Sequence, residues 1–435
     1  MKSLLKVSLI FLLVSILASC SSPSTTTEEE VTQITKPNIL LIIADDLGKD
    51  AMPNYSEGTI KPNIPNLQNL MNNGLTFDNL WSYPVCTPTR ASILTGKYGV
   101  ETGVIEVRDE ISTSETSLQK YINTNTGDEY ATAIIGKWHL SNNASDPITM
   151  GIDYFAGLLN GSVQDYWSWD LTENGSTSTS TEYTTTKFTD LAINWVDAQT
   201  KPWFLWLAYN APHTPFHLAP TELHSQGNLP SDDASISANP TPYFMSAIEA
   251  MDSEIGRLLN SMTEEERANT VIVFIGDNGS PNQVAQNPYR GQTVKGTLYQ
   301  GGINVPMFVS GYGVNRVGAR DQALINTTDL YTTIANIAGV STTNIHSSTS
   351  FYNLFSSANT HDREFVYAEN IRNTGSGYTI RNSTYKLIKY DNGDEEMYNL
   401  ISDPYESTNL LNSTLSTEES TSKIILENEA NSIRN

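Results

Sequence analysis

The chain has 435 residues, enough for a large core and a smaller attached unit. Asp and Glu total 48 against 25 Lys and Arg, a formal charge of −23, which repels nucleic acid and other polyanions at long range. An anionic substrate would need a local basic island, and 38% hydrophobic residues with abundant Ser, Thr and Asn suit a secreted protein with long polar loops.

Lys2 and Lys6 flank or precede an apolar run, Val7–Leu17, that is too short and wrongly flanked to span a bilayer. Residues 1–19 read as a signal peptide. Leu17-Ala18-Ser19-Cys20 resembles the bacterial lipobox, which implies cleavage before Cys20 and acylation there. The expected location is the cell envelope of a bacterium, at the outer membrane or cell surface. Residues 20–36 read as the lipidated Cys and a flexible Ser/Thr/Glu-rich tether. The chain has two cysteines, so a lipidated Cys20 leaves Cys86 without a disulfide partner.

Asn38–Ala44 is a continuous apolar run, as in a strand buried on both faces. Ile64–Asn73 predicts a helix, and Ser92–Leu94 begins or joins another. Tyr130–Gly136, Trp203–Tyr209, Thr270–Ile275 and Val305–Val309 are further buried strands. Helical spacing recurs at Thr186–Ala198, Tyr243–Met262 and Asp329–Ile337. This alternation predicts an α/β domain over 37–350 with a largely parallel sheet. After about residue 350 come short strands, Glu364–Glu369, Tyr378–Arg381, Tyr385–Tyr390 and Glu396–Leu400. Turns are expected at Asn373-Thr374-Gly375 and Asp391-Asn392-Gly393. Residues 351–435 thus read as a small antiparallel sheet with a terminal helix over 414–432.

Polar residues stand at the carboxyl ends of the predicted strands, where parallel sheets bind ligands. Asp45-Asp46 suits a divalent cation or the capping of a following helix. Gly276-Asp277-Asn278-Gly279 offers more oxygen ligands or simply a turn. Lys137 and His139 follow one strand and His213 another. Asp165-Tyr166-Trp167-Ser168-Trp169-Asp170 holds two indoles suited to sugar stacking or to core packing.

Cys86-Thr87-Pro88-Thr89-Arg90, followed by Leu94-Thr95-Gly96, resembles the signature of the type I, formylglycine-dependent sulfatases of the alkaline-phosphatase superfamily. The segment Lys295–Pro306 resembles that family's Lys-Gly block, with Gln300 in place of Glu and Asn304 in place of Arg. Tyr385–Ile388 and Met397–Glu406 resemble its last strands, so the likeness runs from about Pro37 to Leu411.

The resemblance implies an alkaline-phosphatase-like fold and hydrolysis of sulfate monoesters. It implies conversion of Cys86 to formylglycine by a maturation enzyme before folding, and a calcium ion on Asp45, Asp46, Asp277 and Asn278. Arg90 and Lys137 would hold the modified residue and His139 would take a proton during elimination. Lys295 and His213 would contact the sulfate and the bridging oxygen. A surface lipoprotein with this chemistry would act on sulfated carbohydrate. A phosphodiesterase or phosphonate monoester hydrolase on the same fold, and an inactive glycan-binding lipoprotein, are the competing readings.

Overall fold

A computed structural model describes residues 36–435 except residues 290, 292 and 372–374. The signal peptide, Cys20 and nearly all of the tether lie outside the described residues, as do Asn373 and Thr374 of one expected turn. The dominant feature is an 11-stranded sheet. Its strands are β1 Asn38–Ala44, β2 Gly74–Trp81, β3 Ala131–Lys137, β4 Tyr154–Leu158, β5 Trp169–Glu173, β6 Ser176–Ser180, β7 Trp203–Tyr209, β8 Thr270–Gly276, β9 Asn304–Gly311, β10 Ala319–Asp321 and β11 Ile325–Asn326. The order is β10-β2-β9-β8-β1-β7-β3-β4-β5-β6, with β11 also beside β2.

Strands β8, β1, β7, β3 and β4 run parallel to one another, which makes the fold α/β with a mostly parallel sheet, as expected. Every residue of β1 is buried. Its side chains alternate between two cores: Leu40 and Ile42 face one, while Ile39, Leu41 and Ile43 face the other. Helices Pro65–Asn72, Thr184–Asp197 and Thr241–Ser261 supply the first core with Leu67, Phe188 and Ile248. Helices Cys86–Thr95, Leu118–Thr126 and Asp329–Ile337 supply the second with Ile93, Leu118 and Leu330.

Some elements go beyond the sequence reading, among them β4, β5 and β6. Strand β9, expected simply as a fifth buried strand, is antiparallel to both β8 and β2. Strand β2 itself was not expected; a register shift between Phe77 and Leu80 breaks its apolar pattern at Asp78-Asn79. The segment Ser92–Leu94 joins a helix that starts at Cys86, where buried Thr87, Thr89 and Arg90 leave no apolar periodicity to mark the start.

Toward the C-terminus, β12 Asn344–Ile345 pairs with β13 Ser348–Thr349. A four-stranded antiparallel sheet follows, ordered β14 Val366–Asn370, β15 Gly377–Arg381, β16 Tyr385–Tyr390 and β17 Glu395–Asn399. The helix Thr417–Arg434 covers this sheet with Leu426 and Ala430. Among the described residues, no helix is long and apolar enough to cross a membrane.

Candidate active site

Parallel register places Ala44 of β1 beside Gly276 of β8, so the chain leaves both strands at one level. Asp45-Asp46 and Asp277-Asn278 therefore meet. The Asp277 amide donates to the Ala44 carbonyl at 3.1 Å and the Asp46 amide donates to Asp277 Oδ1 at 3.0 Å. Asn278 Nδ2 donates to Asp46 Oδ1 at 2.8 Å. Asp46 and His139 hold left-handed backbone conformations, φ 69° and 53°, a strain that folds tolerate mainly where position matters.

Cys86 is the first residue of its helix, and Arg90 lies about one turn further on, on the same side. Lys137, the last residue of β3, donates from Nζ to Cys86 Sγ at 3.3 Å and pairs with Asp45 Oδ2 at 2.5 Å. Arg90 Nη2 pairs with Asp277 Oδ2 at 2.8 Å, and its Nη1 donates to the Lys137 carbonyl at 2.8 Å. Lys295 pairs with Asp46 Oδ1, and His213 Nε2 lies 3.7 Å from Asp46 Oδ2. His139 Nε2 is 3.2 Å from Thr87 Oγ1. The structure thus brings together every position singled out from the sequence: Asp45, Asp46, Cys86, Arg90, Lys137, His139, His213, Asp277, Asn278 and Lys295.

Burial governs the electrostatics. It pushes the Asp45 carboxyl up, and Asp277 and Asp46 add to it against the opposing Lys137. Burial would also raise Asp46, but Lys295 and then His213 outweigh it and hold that carboxyl below its usual range. Burial pushes His213 down to about 4 despite Asp46, and pushes His139 well down with help from Lys137 and Arg90. Burial thus disfavours the charged form of both rings. Burial raises the Cys86 thiol.

Donor atoms of Asp45, Asp46 and His213, and of Asp45, Cys86 and Asp277, lie within 4.8 Å of one another. Buried Asp45 Oδ1 and Asn278 Oδ1 have no hydrogen-bond partner among the described residues. Three carboxylates and an amide oxygen are a hard donor set, so the residues present fit a calcium ion.

Some contacts had no sequence signal. Thr87, a variable position inside the Cys-x-Pro-x-Arg pattern, touches His139. Gly161 packs so tightly on the His139 ring that a Cβ there would lie 2.4 Å from Nε2. The two indoles divide: Trp169 is buried against Phe188, whereas Trp167 is exposed beside Tyr183 and His217. His217, close in sequence to His213, instead stacks on Tyr166 and bonds to the Tyr183 hydroxyl at 2.9 Å. Gln300 and Asn304 line another cavity of about 570 Å³ with Lys49, Arg320 and Arg381.

The Sulfatase family profile matches residues 37–340, and the profile for the C-terminal part of N-sulphoglucosamine sulphohydrolase matches 291–430. The chain belongs to the sulfatase family. It is 30% identical over 370 residues to the uncharacterized sulfatase YdeN of Escherichia coli (strain K12), covering 70% of this chain and 63% of that protein. Against Arylsulfatase J of Mus musculus it is 29% identical, covering 70% of this chain and 52% of the relative. The chain thus spans less than two thirds of either relative. The Ulvan-active sulfatase of Formosa agariphila is 26% identical, with 91% and 81% covered. Among solved structures, Ps i-CgsB in complex with k-i-k-neocarrahexaose superposes with a TM-score of 0.76 at 26% identity, covering 91% of this chain and 92% of that one. BT4656 in complex with D-glucosamine-2-N,6-O-disulfate shares the fold at a TM-score of 0.77 and 21% identity, with 92% and 98% covered.

Proposed function

We propose that this protein hydrolyses sulfate monoesters of glycans, using a nucleophile derived from Cys86. The observation that carries the reading is the contact of Cys86 Sγ with Lys137 Nζ inside a buried cluster that also holds Arg90 and Lys295. These cations are the basic island that a −23 chain needs in order to hold a sulfate. The names of the sulfatase relatives support the reaction class, and the ulvan and neocarrahexaose named for two of them support a sulfated carbohydrate.

Oxidised to formylglycine by a maturation enzyme, position 86 would supply a hydrated aldehyde as nucleophile, able to displace the alcohol from sulfur as the S–O ester bond breaks and then to release sulfate as the aldehyde re-forms. Calcium on Asp45, Asp46, Asp277 and Asn278 would neutralise charge on the sulfate oxygens. Lys137 would hold residue 86 directly, and Arg90 would hold it through the Lys137 carbonyl and Asp277. His139 is placed to accept the proton lost as the aldehyde re-forms, and Thr87 fixes its ring. His213 and Lys295, both beside Asp46, would face the alcohol side, where the Lys295 ammonium would protonate the leaving oxygen and His213 would contact the sulfate. The lipobox supports a membrane-anchored location in a bacterial envelope.

The test measures aldehyde at residue 86 and sulfate release across several preparations, with aryl phosphonate as the competing substrate. Sulfate release should scale with aldehyde content and exceed phosphonate turnover. High release in preparations without aldehyde, or faster phosphonate turnover, would overturn the proposal.

A further inference from the structure

One cavity adjoins the site at His139, and a second shares part of its lining. The first, of about 320 Å³, is lined by Arg108, Asp109, Glu110, His139 and Asn142 among others. The second, of about 590 Å³, reaches Gln164, Asp170, Thr177 and Thr179. Asn142, Leu159 and Asn160 line both. These three residues make the two cavities neighbours, one at His139 and one at the ribbon β5–β6, together called the trough below, and each has the size of a small-molecule site.

The lining differs in kind from the site it adjoins. Around Cys86 stand Arg90, Lys137 and Lys295. Along the trough Arg108 is outnumbered by Asp109, Glu110 and Asp170, and the remainder is mostly hydroxyl and amide. Ser, Thr, Asn and Gln both donate and accept, as sugar hydroxyls do, whereas bound sulfates call for Arg or Lys. An anion lying beside Asp170 would meet like charge.

We infer that the trough binds the glycan chain on one side of the sulfate to be removed, as sugar rings without charge. The substrate class is then an oligo- or polysaccharide with widely spaced sulfates, and densely sulfated chains and sulfated monosaccharides are poor substrates. This rests on the sulfatase reading of the Cys86 site. The specificity-determining residues are Asn160, Asp170 and Thr177.

Binding is measured on Cys86→Ala protein, which cannot turn substrate over. The probes are hexasaccharides of galactan, fucan and glycosaminoglycan backbones, each with one sulfate or with a sulfate on every ring. At low salt, a singly sulfated probe should bind at least about tenfold more tightly than its fully sulfated counterpart. Asp170→Lys should narrow that gap by about fivefold. Thr177→Trp should weaken binding about tenfold, while the matured Thr177→Trp enzyme keeps its kcat/KM on a small aryl sulfate. Equal or tighter binding of the fully sulfated probes, unchanged binding in Thr177→Trp, or no binding of any probe would overturn the inference. Failure of matured wild-type protein to cleave the aryl sulfate would instead refute the sulfatase reading, with the binding result still judging the trough.

Discussion

At the scale of single residues, the site is set by contacts that allow little displacement. A Cβ on Gly161 would lie 2.4 Å from both Cε1 and Nε2 of His139. Gly161→Ala must therefore displace the ring from its present contact with Thr87 or shift the loop at Gly161. We expect kcat on an aryl sulfate to fall at least about tenfold, the scale of losing a positioned acid-base group, with little change in melting temperature. Unchanged kcat would show that the ring position is immaterial. Asp277→Ala removes the partner of Arg90 Nη2 and an acceptor of the Asp46 amide together. Activity should be lost, and the variant should bind calcium more weakly in isothermal titration than wild type. Equal affinity would remove Asp277 from the ion site.

At the scale of elements, the helix Cys86–Thr95 is buried along its whole length and ends at Gly96 in a left-handed C-cap, φ 68°. A Cβ at Gly96 would meet Tyr331 Cγ at 2.9 Å. Gly96→Ala should cost about 1–3 kcal/mol, from backbone strain and overpacking together, read as a lower denaturant midpoint. A midpoint equal to wild type would show that Tyr331 yields freely. The same helix shows where sequence reading falls short. Its signature motif was legible residue by residue, but its start at Cys86 was not, because polar side chains that are buried by a site leave no apolar periodicity. Strand β2 escaped for a related reason, Asp78 and Asn79 interrupting its pattern. Strands β1 and β7 were legible to the residue because both faces of each are buried.

At the scale of the whole molecule, the C-terminal sheet is tied to the segment that carries Lys295. Buried Lys386 of β16 pairs with Glu406 and donates to the Leu298 carbonyl at 2.6 Å, and Glu406 Oε2 accepts from the Gln300 amide at 2.6 Å. Lys386→Met leaves Glu406 buried without its cation, a loss of about 3–5 kcal/mol. Thermal unfolding should show it, and KM should rise because Lys295 loses its support. A melting temperature within a degree of wild type would refute the coupling. For the proposed anchor, Cys20→Ala should shift the protein from the membrane to the soluble fraction in cell fractionation; unchanged membrane association would exclude lipid on Cys20 as the tether.

Legible from the chain alone were the family, the parallel strands β1, β3, β7 and β8, and the positions from which a site could be built. Strand-end polar residues and a short signature are local features, readable without knowing what lies beside them. The tertiary structure alone decided which neighbours these residues have: that Lys137 reaches Cys86, that Gly161 abuts His139, and that Trp169 is core while Trp167 is not. It also decided that Asn142, Leu159 and Asn160 line both the cavity at His139 and the polar cavity at the β5–β6 ribbon. Those contacts join segments far apart in the chain, and strand register and packing, which no local pattern encodes, bring them together.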